Sequence, residues 1–367
     1  MIRVCHMTSV HHVDDTRVFH KECVSLAKAG YEVFLVAKGE SFDRDGVHVI
    51  GVGPPPPGRV KRMTSFAKKV YRTALELDAD IYHFHDPELL PWGLKLKKRG
   101  KHVIFDAHEQ ISVSISEKFW IPPALRSLIR FFYDRTERFV CRRLDAVLSV
   151  NPDMVDYYKE LNSRAVMITN YPIFREGPAP PRQPATLVFV GGVDSSWNHQ
   201  AVLEAMERIP ELRYRFCGPC KEEGYLAKLR ASPAWERVEY LGPIPQKEVP
   251  AFLASGSIGM AVLPRTIGSL KTTGSLGVNK FFEEMAAGLP IICTDFTLWR
   301  DIVERWHCGI CVEPDSVDEI AAAIQYLLDH PEEARRMGEN GRRAVEEEFN
   351  WGAQEKKLLA LYEEILK

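Results

Sequence analysis

Gly274-Ser275-Leu276-Gly277-Val278-Asn279-Lys280-Phe281-Phe282-Glu283-Glu284-Met285-Ala286-Ala287-Gly288-Leu289-Pro290-Ile291-Ile292 decides how this chain is read. A glycine-flanked loop runs into a short helix, the helix stops at Gly288-Leu289-Pro290, and a β-branched run follows. Such a loop leaves backbone N–H groups free. The first helical turn adds unpaired donors and the positive end of the helix dipole, so the unit suits a diphosphate. Asn279 and Glu283 are one turn apart and share a face. A carboxylate inside an anion-binding terminus repels phosphate but accepts hydrogen bonds from sugar hydroxyls, so Glu283 reads as a ribose holder. The competing reading is an ordinary amphipathic helix with Phe281, Phe282 and Met285 in the core and Glu283 and Glu284 in solvent.

Around this unit the chain alternates short β-branched runs with longer amphipathic stretches. Phe34–Ala37, Ile81–Phe84, Val103–Phe105 and Ala146–Val150 read as buried strands, and a second series follows at Leu187–Val190, Tyr214–Cys217, Gly259–Leu263 and Ile291–Cys293. This pattern predicts an α/β protein with doubly wound parallel sheets. At 367 residues the chain exceeds one comfortable core. Two domains of about 170 residues each are expected. Pro-rich Tyr171 to Pro184 reads as the linker between them. Ligands of such folds bind at the C-terminal ends of the strands, in the cleft between domains.

Charge is divided unevenly: +6 through Arg175 and −8 beyond it, for a net −2. Part of the basic excess lies in Arg126 to Arg143, read as a helix carrying Leu128, Ile129, Phe132 and Phe139. It lies on an anionic membrane surface, meets an anionic acceptor, or packs on its own sheet with a solvated basic face. No apolar run approaches the roughly 18 residues of a spanning helix. The strand-like Ile2–Met7 begins at once, so the expectation is a cytoplasmic protein without a leader, and no tract suggests a nucleic-acid partner. Cys217/Cys220 and Cys308/Cys311 lie too far apart in sequence for an ordinary zinc module and read as reduced thiols. The triplets Asp43-Arg44-Asp45 and Asp78-Ala79-Asp80 do not end strands, so no metal-binding residues are assigned.

The run Asn279-Lys280-Phe281-Phe282-Glu283 with Met285-Ala286-Ala287-Gly288-Leu289-Pro290 resembles the donor-site helix of the family 4 retaining glycosyltransferases, which have the two-Rossmann-domain GT-B fold. Asp14-Asp15-Thr16-Arg17, His85-Asp86-Pro87-Glu88, Asp106-Ala107-His108-Glu109, Phe189-Val190-Gly191-Gly192 and Val312-Glu313-Pro314 match in the same order, so the similarity covers nearly the whole chain. It implies an acceptor domain at 1–172, a donor domain at 173–352, and a terminal helix at 353–367 that crosses back onto the first.

What the resemblance implies about the site is specific. Glu283 holds the ribose of a nucleotide-diphosphate sugar, the co-substrate, with Asn279 among the donor-binding residues and no further cofactor. The base sits near Gly242 to Pro245, including Ile244. His108, flanked by Asp106 and Glu109, contacts the transferred sugar, with Asp14, Arg17, His85 and Asp86 on the acceptor or phosphate side.

The chain departs from the pattern twice. After Gly191, Gly192 and Asn198 stand where relatives carry an Arg and a Lys at the diphosphate, and Ser275 replaces the first of two glutamates. Replacement cations are Arg265, Lys271, Lys280 and Arg17, of which the two arginines rank first because a guanidinium grips two oxygens at once. Backbone groups of Leu276 and Gly277 take the sugar contact. The expected activity is transfer to a glycan, lipid-linked or small glycoside acceptor, with retention and without metal. The alternatives are a nucleotide-sugar binding protein without turnover and a sugar-nucleotide 2-epimerase.

Overall fold

Strands of a parallel sheet covered on both faces are apolar along their whole length. A computed structural model describes residues 1–117, 121–174, 177, 182–266 and 272–367, and they form two compact units, Met1–Asn170 with Gly352–Lys367, and Tyr171–Trp351. In the first unit β1 (Arg3–His12), β2 (Glu32–Lys38), β3 (Phe42–Arg44), β4 (Val47–Gly51), β5 (Ile81–Phe84), β6 (His102–Ala107), β7 (Ala146–Ser149) and β8 (Ala165–Met167) make one sheet. Its order is β3-β4-β2-β1-β5-β6-β7-β8, parallel throughout except between β3 and β4. Val70, Tyr71 and Ala74 of helix Ala67–Glu76 share a core with Tyr82, Phe84 and Phe105.

The β3–β4 hairpin is absent from the sequence reading. Asp45 (φ 53°) and Gly46 (φ 78°) make its turn, and an Asp-Gly pair with both φ positive matches the right-handed twist of a hairpin. The first Asp-x-Asp triplet is therefore an edge-strand turn, with Asp43 bonded to His48 at 2.7 Å. In the second triplet Asp80 accepts from the Arg3 N–H at 2.8 Å.

β1 and β5 depart from the apolar rule. His6 and His83 are partners across the ladder, and both are fully buried. Tyr362, on the C-terminal helix Trp351–Ile365, reaches this pair and lies 2.8 Å from His83 Nδ1 and 3.3 Å from His6 Nε2.

In the second unit β9 (Thr186–Val190), β10 (Arg213–Cys217), β11 (Val238–Tyr240), β12 (Ile258–Ala261), β13 (Ile291–Thr294) and β14 (Gly309–Val312) pair in the order β11-β10-β9-β12-β13-β14, all parallel. Tyr171 and Pro172 belong here because the Tyr171 ring packs on Phe282 and Phe349, and the Pro172 carbonyl accepts from the Trp351 N–H at 2.8 Å. All eight cysteines are free thiols, with Cys217 and Cys308 buried and Cys220 and Cys311 partly so.

Helix His199–Met206 starts with a buried histidine whose ring packs against Phe189, Tyr214 and Phe216, with Nδ1 2.9 Å from the Tyr214 hydroxyl. Burial lowers its pKa to about 4. An unfolded histidine titrates near ~6.5, so below that pH the unfolded chain takes up the proton first. Stability from this group is full above that value and is lost as pH falls towards 4, by about 3 kcal/mol in all. Denaturant unfolding across that window should show the slope, and His199→Gln should flatten it. Equal slopes in the two proteins would refute the assignment.

Candidate active site

Polar side chains converge in the first unit where strand termini and a helical segment meet. β1 contributes His6, β5 His83, the residue just beyond β5 His85, and β6 Asp106 with His108 close behind. The π-helical turn Val18–Cys23 contributes Glu22, and the residue before it is Arg17.

Arg17 is only 4 % exposed and grips Asp106 as a fork, Nε donating to Oδ2 at 2.9 Å and Nη2 to Oδ1 at 3.0 Å. Its Nε also lies 2.9 Å from Glu22 Oε1, but the single N–H on that nitrogen points at Asp106. Burial acts to raise the Asp106 pKa, yet the Arg17 guanidinium and His108 hold it well below the usual carboxylate range. Glu22 moves the other way, since burial pushes it well above that range despite Arg17, and the neighbouring Asp106 adds to the effect. The arrangement is one buried cation, one buried carboxylate and one buried carboxylic acid.

His108 Nε2 lies 2.8 Å from Asp106 Oδ2, and His85 Nδ1 lies 3.2 Å from the same oxygen. An ionised Asp106 accepts from both, which assigns the Nε2–H form to His108 and the Nδ1–H form to His85. His85 and Asp106 are sealed, whereas the His108 side chain is 21 % exposed. Asp106 therefore positions the ring, and His108 Nδ1 is left to meet a ligand. Glu109 is exposed and takes no part in this network.

Other sequence-assigned residues of this unit have different occupations. Arg17, expected to face a diphosphate, is engaged by Asp106 and Glu22. Asp86, expected on the acceptor side, is buried and accepts from Thr8 Oγ1 at 2.8 Å and from the backbone N–H groups of Ser9 at 2.5 Å and Val10 at 3.2 Å, which fixes the tail of β1. Asp14 is exposed and pairs with Arg44 and with His20 at 3.0 Å. Glu22, His6 and His83 belong to the cluster and were missed. The available signal was His83-Phe84-His85, two same-face histidines in an otherwise apolar run.

In the second unit the strand ends come together through glycines. The Gly191 N–H donates to the Cys217 carbonyl at 2.9 Å and the Gly218 N–H to the Gly242 carbonyl at 2.8 Å. A Cβ on Gly218 (φ 141°) would lie 1.6 Å from the Gly191 oxygen, and one on Gly191 would lie 1.9 Å from Lys280 Cε. The glycines are thus what lets Lys280 pass over the end of β9. Ile244 packs partly against the apolar cluster of Val188, Cys217 and Leu289.

The helix begins at Asn279 and runs to Ala286, with Val278 as an N-cap that offers no side-chain bond. Asn279 Oδ1 is buried without a hydrogen-bond partner among the described residues. Lys280 Nζ lies 4.6 Å over the Trp197 ring, and burial lowers its pKa. Among the described residues Lys280 makes no ion pair, and neither does Glu283 one turn on. Glu284, read as solvated in the plain amphipathic alternative, is instead fully buried against Gly259, and burial pushes its carboxyl well above the usual range.

Arg265 is held by Glu313, with Nε 3.2 Å from both carboxylate oxygens and Nη2 3.0 Å from Oε2, and it also bonds the Asp295 carbonyl at 2.9 Å. Lys271 lies outside the described residues. Asn198 donates its amide to the Pro314 carbonyl and its backbone N–H to Val262, and Gly192 packs beside Asp194. The Ser275 hydroxyl accepts from the Gly277 N–H at 3.1 Å, its carbonyl accepts from Trp299 Nε1 at 3.0 Å, and Leu276 is buried. Of the four cations considered from sequence, Lys280 is the one described without a carboxylate partner, and the two favoured arginines are both spent.

Two parallel sheets built this way, the second ending in a glycine-lined helix start, define a GT-B protein. The chain superposes on a sucrose-phosphate synthase from Thermosynechococcus elongatus with a TM-score of 0.76 at 17 % identity, covering 100 % of this chain and 99 % of that one. Anabaena HepE, solved in complex with UDP and glucose, gives 0.75 at 12 % identity over 99 % and 100 %. The family model for Glycosyltransferase Family 4 matches residues 16–170 and that for Glycosyl transferases group 1 matches 171–344, without a gap. The chain belongs to the family 4 glycosyltransferases.

Among curated relatives, the phosphatidyl-myo-inositol mannosyltransferase of Mycolicibacterium smegmatis is 22 % identical over 93 % of this chain and 87 % of its own length. The MMP alpha-(1->4)-mannosyltransferase of Mycolicibacterium hassiacum is 38 % identical over 85 residues, 23 % of this chain. That match spans 21 % of the relative's length, about a fifth.

Proposed function

We propose that the protein moves a sugar from a nucleoside-diphosphate sugar to a hydroxyl of a glycan, lipid-linked or small glycoside acceptor, with retention and without a metal at the diphosphate. The observation that carries this reading is Lys280: a half-buried ammonium without an ion-pair partner among the described residues, at the start of the helix bearing Glu283, whose N-cap offers no side-chain bond. A diphosphate bound there receives the helix N–H groups and the lysine together, which offsets the loss of both usual cations. Glu283 takes the ribose hydroxyls. His108, oriented by Asp106, accepts a hydrogen bond from the transferred sugar. The acceptor oxygen attacks the anomeric carbon on the face that the diphosphate leaves, the sugar–phosphate bond breaks, and the acceptor proton passes to the departing phosphate oxygen.

Relatives are named for GDP-mannose and solved with UDP, so the base is open to test. Calorimetric titration with UDP, GDP and ADP without added metal should show selective binding of one. Binding of none would overturn the donor-site assignment and leave a protein that does not turn over. Glu283→Ala should weaken the selected nucleotide by about 1.5–3 kcal/mol, on the order of 10- to 150-fold. Unchanged affinity removes Glu283 from the ribose.

Helix Pro123–Cys141 supports a peripheral membrane partner. It buries Glu137, Val140 and Cys141 but exposes Leu125, Leu128, Ile129, Phe131, Phe132 and Phe139 beside Arg126, Arg130 and Arg135. An apolar face flanked by cations fits an anionic bilayer surface. No helix of the described residues is long and apolar enough to cross a membrane. Co-sedimentation with phosphatidylglycerol vesicles should exceed that with phosphatidylcholine and fall with salt and with a Phe131→Ser/Phe132→Ser double substitution. Equal recovery with both lipids would dismiss this contact.

A further inference from the structure

Beneath Asp106 lies a group of side chains that glycosyl transfer does not use. His6 and His83 face each other across β1 and β5, His85 follows His83 on the same face, and Glu22 closes over them from its helical turn. All four are 3 % exposed or less. Glu22 Oε2 is equidistant from three ring nitrogens, 3.9 Å each from His6 Nδ1, His83 Nδ1 and His85 Nε2. His6 Nδ1 and His85 Nε2 are 3.0 Å apart, and one donor atom from each of the four residues falls within 4.8 Å of the others. Among the described residues neither Glu22 oxygen has a partner of good hydrogen-bond geometry, although the group is sealed from water.

Three imidazoles and the Glu22 carboxyl, which would release its proton to solvent on binding an ion, are a familiar donor set. Metal–nitrogen bonds of 2.0–2.1 Å set tetrahedral donors about 3.3 Å apart, so the His6–His85 pair is already near that spacing, while Glu22 would close in by roughly 0.6 Å and no pair by more than about 1.5 Å. Imidazole with carboxylate suits zinc and its neighbours rather than calcium or magnesium. Supporting bonds are also in place. His85 donates its other nitrogen to Asp106 at 3.2 Å, and His6 Nε2 meets the Tyr362 hydroxyl at 3.3 Å, the outer contacts that fix ligand tautomers. His83 Nδ1, now 2.8 Å from Tyr362, would exchange that bond for the ion.

We propose that His6, His83, His85 and Glu22 form a closed, four-coordinate site for one zinc-type ion. It is a structural site, since all four positions are filled by protein and none is open to the diphosphate. The ion would lock His85 in the form that supports Asp106, and through Asp106 the His108 ring. This inference goes beyond sugar transfer.

The test is metal content, read without donor or acceptor so that it stands apart from the transfer reading. Protein purified without a histidine tag and dialysed against Zn2+, then against buffer, should retain one zinc per chain by elemental analysis. Glu22→Gln and His83→Ala should retain none. Because these substitutions are buried and can unfold the unit, the deciding measurement is X-ray absorption at the zinc edge of the unsubstituted protein. A shell of nitrogen and oxygen only, at about 2.0–2.1 Å, is expected. No zinc uptake overturns the proposal, and so does a sulfur shell near ~2.3 Å, which would place the metal on the cysteine pairs.

Discussion

Asp106→Ala is expected to cost about 3–5 kcal/mol of stability in denaturant unfolding, because it strands a buried guanidinium. Arg17 is 4 % exposed and spends both of its short hydrogen bonds on Asp106. Glu22, 2.9 Å from Arg17, is the fallback counter-ion. It would have to give up its proton in a sealed environment, which limits how much it recovers. Coupling follows from this: Asp106→Ala combined with Glu22→Gln should lose more than the two single losses added. Removing both members of the pair, with Arg17→Met and Asp106→Leu, should restore much of the stability, since apolar replacements leave no uncompensated charge. A loss below about 1 kcal/mol for Asp106→Ala would mean that the charge is solvated and that the network reading is wrong.

His108→Ala is the complementary case, large in turnover and smaller in stability. The ring is partly exposed but donates to the buried Asp106, so its removal should cost about 1–2 kcal/mol, less than Asp106→Ala. Losing one oriented hydrogen-bonding group at the transferred sugar should lower kcat about 10²- to 10³-fold. Nucleotide affinity should stay as it was, because the nucleotide contacts proposed here belong to the other unit. Normal turnover by this variant would take His108 out of the chemistry. A matched fall in nucleotide affinity would instead mean that the fold of the site had changed. Asp106→Asn separates orientation from charge, since it keeps the volume but can present N–H to the ring, and it should lose turnover with less damage to the fold than Asp106→Ala.

Strand positions and the donor helix were legible because they depend on local pattern. Ile81-Tyr82-His83-Phe84 and Ile291-Ile292-Cys293 form strands where β-branched and aromatic side chains fill a pleated, buried surface. The helix ends at Gly288 (φ 73°), a conformation that favours glycine, so its stop could be read from the sequence. The β3–β4 hairpin carried an equally local Asp45-Gly46 signal, but the triplet was weighed only as a metal motif and set aside, so its turn went unread. Glu283 and Glu284 show the limit of local reading. They are adjacent and chemically identical, yet one is partly open and the other fully buried against Gly259, where no side chain competes for the space.

The sequence by itself determined the two-sheet alternation and the helix Asn279–Ala286, which rest on periodicity and on a local stop signal, whereas Glu283, Asp106 and His108 were singled out with the help of the family resemblance. Only the tertiary structure decided which charges are spent and which are free. Arg17, Arg265 and Lys280 look alike as cations in a sequence, but the first meets Asp106 across 89 residues and the second meets Glu313 across 48, while the third is threaded over Gly191 and makes no ion pair among the described residues. The His6, His83, His85 and Glu22 cluster was likewise set by strand register and helix packing. Burial and pairing are sums over groups distant in sequence, and no local pattern encodes them.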